Sequence, residues 1–105
     1  MFSGGSYEEV GRWLWNFVLS HAKREDGRIE AEVDTSGPHE GKSYGVRLRL
    51  GERREPPFGA PALEFPYPLV AEQRGHLAWC QSLAQDVRAV ARKVLAAEIG
   101  ARRSA

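Results

Sequence analysis

A chain of 105 residues has room for one modest hydrophobic core, and a composition of 42% hydrophobic and 28% charged residues is that of an ordinary folded domain rather than a disordered segment. A single cysteine, Cys80, excludes an intrachain disulfide and a multi-thiolate zinc site, and no apolar run approaches the roughly 18 residues of a membrane span. The net charge of +1 divides unevenly, with −4 on residues 1–40 and +5 on residues 41–105. The first residues have neither the basic nor the apolar region of a secretory signal, so a soluble cytoplasmic protein is expected.

Residues 1–5 read as a flexible leader. A helix is expected from Ser6, where Ser6-Tyr7-Glu8-Glu9 has the capping-box spacing, to about Lys23. At 100° per residue, Tyr7, Val10, Trp13, Leu14, Phe17, Val18 and His21 form one apolar stripe. Trp15 and Leu19 fall off it, four residues apart on one flank, with Gly11 and Ala22 as small neighbours.

Two strands follow. Ile29, Ala31 and Val33 alternate with Arg28, Glu30, Glu32 and Asp34. Tyr44, Val46, Leu48 and Leu50 alternate with Ser43, Gly45, Arg47 and Arg49. Period-two alternation gives each strand one core face and one water face. Ser36 to Gly41 supplies the turn. Glu30 and Glu32 are expected opposite or diagonal to Arg47 and Arg49, as a solvated charge lattice that helps to fix register.

Glu52 to Pro68 is polar and proline-rich. Leu63, Phe65 and Tyr67 alternate within it, which predicts a short third strand near 61–65, confined to a sheet edge by its prolines. A long last helix is expected from about Gly75 to Glu98, preceded by a helical turn from Pro68 and stopped at Gly100. Residues 101–105 read as a frayed basic tail. The predicted fold is α+β: helix–strand–strand–strand–helix, a three-stranded antiparallel sheet with both helices on one face, in a single domain.

No cofactor, metal or catalytic motif is legible. His76 and Cys80 lie four apart on a helical face, but that face is the apolar stripe, where cysteine is an ordinary core residue. The function expected is therefore a non-enzymatic interaction module. Trp15 and Leu19 exceed what a sheet covered by Trp13, Leu14 and Phe17 needs, and so point to a symmetric homodimer; Phe58, Phe65 and Tyr67 extend the candidate interface.

The alternative is a nucleic-acid surface built from Arg47, Arg49, Arg53, Arg54, Arg74, Arg88 and Arg92. Gly37-Pro38-His39 followed by Tyr44-Gly45-Val46 resembles the first hairpin turn of double-stranded-RNA-binding domains, which share the element order. The resemblance implies phosphate contacts across the RNA major groove from the start of the last helix. Where that family carries a lysine cluster, this chain has Glu72-Gln73-Arg74-Gly75-His76-Leu77-Ala78-Trp79. Small nucleoid-associated proteins share the same element order.

Overall fold

A computed structural model of the chain describes residues 5–104, with side chains to residue 100. Helix α1 spans Tyr7–Glu25 and begins as its capping residue dictates: Ser6 Oγ accepts from the Glu9 amide at 3.1 Å. Strand β1 spans Glu30–Asp34, and a 3₁₀ turn at Gly37–His39 leads to β2 at Ser43–Leu50. Strand β3 is Arg53–Glu55 and β4 is Leu63–Pro66. Helix α2 spans Tyr67–Gln73 and α3 spans Leu77–Ser104.

The sheet is antiparallel and centred on β2, which pairs with β1 on one side. On its other side it pairs with β3 at Leu48–Leu50 and with β4 at Ser43–Val46. The register is the one the alternation predicts, with Glu30 opposite Arg49 and Glu32 opposite Arg47. The third strand position is thus filled by two strands end to end, so the sheet has four strands and not three. The strand that the alternation misses, β3, is charged throughout and folds back from β2 through Gly51-Glu52. Gly51 adopts φ +63°, the conformation a two-residue Gly-first hairpin requires.

The helices differ from expectation at their ends. The turn from Pro68 is a separate two-turn helix, α2, and α3 starts two residues after Gly75. Nor does Gly100 stop α3, which continues to Ser104, so the backbone of the expected tail is helical up to that residue. Residues 1–4 of the expected leader and Ala105 lie outside the described residues.

Both long helices cover the apolar face of the sheet. The centre of α1's buried face is Val10, Leu14, Val18 and Ala22, against Ile29, Tyr44, Val46 and Leu48. Each fully buried aliphatic side chain contributes roughly 1.5–3 kcal/mol. Trp13 and Phe17 are half-buried against this core. They stack on each other at 5.1 Å, and Trp13 continues onto Trp79 of α3 at 6.4 Å, so the aromatic half of the stripe fills the seam between the helices. Among the described residues no helix is long and apolar enough to cross a membrane.

Candidate interaction groove

Three tyrosines fix where α1 sits. Tyr7 donates to the carbonyls of Ser43 and His39, at 2.5 and 3.1 Å. Tyr44 donates back to the Tyr7 carbonyl at 2.7 Å, with the two rings stacked at 4.7 Å. Tyr67 meets both rings edge-on and donates to the Gly5 carbonyl. Burial pushes the Tyr7 and Tyr44 hydroxyls above the ordinary phenol range, which keeps both as neutral donors. Gly11, expected beside Trp15, is instead buried over Tyr44, where helix and strand meet too closely for a side chain.

The clamp holds the start of α1 close to the β1–β2 turn and leaves a groove of roughly 460 Å³ between them. Tyr7, Gly11 and Trp15 form its helical wall; Val33, Thr35 and Gly41 form the other. Glu8, Arg12 and Glu40 are the charged residues of its rim.

Trp15 is 38% exposed. Its indole N–H donates to the Ala31 carbonyl at 3.0 Å. That bond identifies the outward-facing groups of β1. In an antiparallel ladder successive residues point their backbone groups to opposite sides. The two-residue turn after β2 makes Leu50 and Arg53 a bonded pair, which turns Leu48 and Val46 toward β3 and β4, and Arg49 and Arg47 toward β1. Ala31 and Val33 therefore face away from the sheet. Trp15 covers the first of these, and the N–H and C=O of Val33 open onto the groove.

The candidate interface residues do not share one surface. Leu19 is half-buried on the flank of Trp15 and packs on the core. Phe65 and Tyr67 are half-buried in their own domain, the first paired with Tyr44 and the second in the tyrosine cluster. Phe58 stands on the opposite, charged face of the sheet, 69% exposed, with the guanidinium groups of Arg54 and Arg47 over its ring at 4.2 and 5.3 Å.

Nor do the seven arginines form one patch. Arg47 spends its guanidinium on three carbonyls of the 56–60 loop, those of Pro56, Pro57 and Ala60, and not on Glu32. Glu32 is held bidentately by Arg54, at 2.7 and 3.1 Å, and by Arg49 at 3.5 Å. Arg53 pairs with Glu98. Arg88 and Arg92, one turn apart on α3, converge on Glu25 at the end of α1 and hold its carboxyl below the usual carboxylate range. The Arg74 side chain reaches to Gly5.

The remaining polar candidates are scattered. His39 bonds the Ser43 hydroxyl at 2.9 Å, and the Cys80 thiol donates to the Arg74 carbonyl. His21 packs on Phe17, its Nδ1 buried without a partner among the described residues; burial first, then Arg24 and Arg88, lower its pKa. No group of three metal-ligating side chains occurs among the described residues. The tyrosine clamp and the Val33 edge escape sequence reasoning, although Gly11, one helical turn after Tyr7, is a visible sign of a close crossing. Set beside known proteins, the chain matches no protein-family model, no curated protein and no solved structure.

Proposed function

We propose that this chain is a non-enzymatic protein-interaction module, and that it binds through the groove between α1 and the outer edge of β1. The observation that carries this reading is the open backbone of Val33 beside a mostly apolar groove with a part-exposed tryptophan at its end. Unpaired strand edges and exposed tryptophan are the features from which protein contacts are made. The nucleic-acid reading has less support, because six of its seven arginines already bond acceptors of the same chain, on separate faces. A homodimer built on Trp15 and Leu19 is the competing use of the same flank.

Panning displayed linear peptides against the intact chain tests the reading. Peptides should be enriched that compete with one another and are lost on Trp15→Ala, a substitution at a part-exposed site that leaves the fold intact by circular dichroism. Failure to enrich any peptide, together with duplex RNA or DNA binding that falls steeply with salt, would overturn it in favour of the arginine surface.

A further inference from the structure

The geometry points to the chemistry of the occupant: an extended segment that alternates basic and apolar side chains, added as a strand along Val33. This inference rests on the groove being the binding surface, and goes on to say what fills it.

A strand laid on the outer edge of β1 would exchange backbone bonds with the N–H and C=O of Val33. Trp15, seated on the Ala31 carbonyl, sets where that pairing ends. Side chains of the added strand alternate between faces. Those on the helix side enter the apolar groove against Tyr7, Trp15 and Val33. Those on the other side stand next to β1's outward row, Glu30, Glu32 and Asp34. This row is acidic throughout, and the chain already contains its complement: β2 sets Arg49 and Arg47 against Glu30 and Glu32 on the inner side of β1. Glu32 is neutralised from that side and Glu30 lies 3.5 Å from Lys23, but Asp34 bonds Ser36, and among the described residues neither it nor rim residues Glu8 and Glu40 have an ion-pair partner. The outer edge near Asp34 thus keeps a net negative charge that no ion pair among the described residues closes; His39 and Arg47 offset it at a distance, and Arg12 is the basic residue of the groove rim.

The same row argues against a second copy pairing edge to edge. Antiparallel self-pairing about Val33 sets Glu32 of one copy against Asp34 of the other, and like charges directly opposed are destabilising.

The test uses the isotopically labelled full chain and a short end-blocked peptide alternating arginine and valine. A peptide with glutamate for each arginine is the control. The arginine peptide should slow hydrogen exchange at the Val33 amide and shift the Trp15 indole N–H, and the control should bind at least about tenfold more weakly. Asp34→Lys, a surface change, should weaken the arginine peptide about fivefold. Val33→Pro removes the outward donor while sparing the β1–β2 ladder, and should abolish the peptide's shift of the Trp15 indole N–H. Equal binding of both peptides overturns the charge preference while leaving the groove reading standing. Absence of any peptide effect at Val33 overturns both. Protection of Val33 that grows with protein concentration alone overturns the proposal in favour of a second copy.

Discussion

A Cβ atom added to Gly11 would lie 2.9 Å from Cε1 of Tyr44, so α1 crosses β2 with no room for a methyl group. Alanine normally stabilises a helix interior by up to about 1 kcal/mol over glycine. Here the ring in the way is fully buried and pinned through its hydroxyl, and overpacking costs about 1–3 kcal/mol. Gly11→Ala should therefore lower the unfolding free energy by about 1–2 kcal/mol. Denaturant titration checks this, and an unchanged or higher midpoint would refute it.

Tyr44→Phe removes one hydrogen bond within the same cluster and should cost about 1 kcal/mol at neutral pH. It should also change the alkaline limb. A phenol whose pKa is raised by folding stabilises the folded state below its unfolded value, and that stability is lost as pH climbs above 10.0. Melting curves across that range should fall less steeply for the variant than for the wild type.

His21 governs the acid side. Its pKa in the fold lies below the ordinary 6.5, so the unfolded chain takes up the proton first. Stability is full above about pH 6.5 and declines as pH falls through the window below it. His21→Leu should flatten the decline between about pH 7 and pH 5. Glu25 and Asp26, both held low by arginine partners, bring a separate loss in the carboxylate range, with Asp26 near 2. If the variant keeps the wild-type slope above pH 5, His21 is not its source.

Arg47→Lys should loosen the 56–60 loop without unfolding the sheet. Lysine keeps the charge but lacks the planar fork that reaches three carbonyls at once. Limited proteolysis should cut the variant faster between Pro57 and Pro61, with a loss in global stability of about 1–2 kcal/mol. Equal cutting rates would mean that the loop is held by other contacts.

The parts legible from sequence were those with a repeating physical signal. Strands β1 and β2 alternate cleanly, so their faces and register follow from the residues, and Ser6 and Glu9 announce the start of α1. Strand β3 had no apolar residue to alternate and forms because Gly51 turns the chain back onto β2. The halves of α1's stripe looked equivalent on a helical wheel, but Val10, Leu14 and Val18 are fully buried in the core while Trp13, with Phe17 stacked on it, reaches Trp79 of α3, a division set by where α3 lies. Trp15 was legible as surplus to the core. Its bond to Ala31 was not, because it depends on which side of β1 each carbonyl faces. The arginines looked like a single basic resource until their partners, most of them far away in sequence, divided them.

Because β2 borders every other strand, its amides and those of its neighbours should not open together. Short β3 and β4 each peel away by breaking pairs with one neighbour, whereas releasing the middle of β2 requires both flanks to separate at once. Local fraying is then easiest on the split side of the sheet, and the slowest-exchanging protons of β2 should lie on Arg47 and Arg49, whose amides bond the longer, unsplit partner β1.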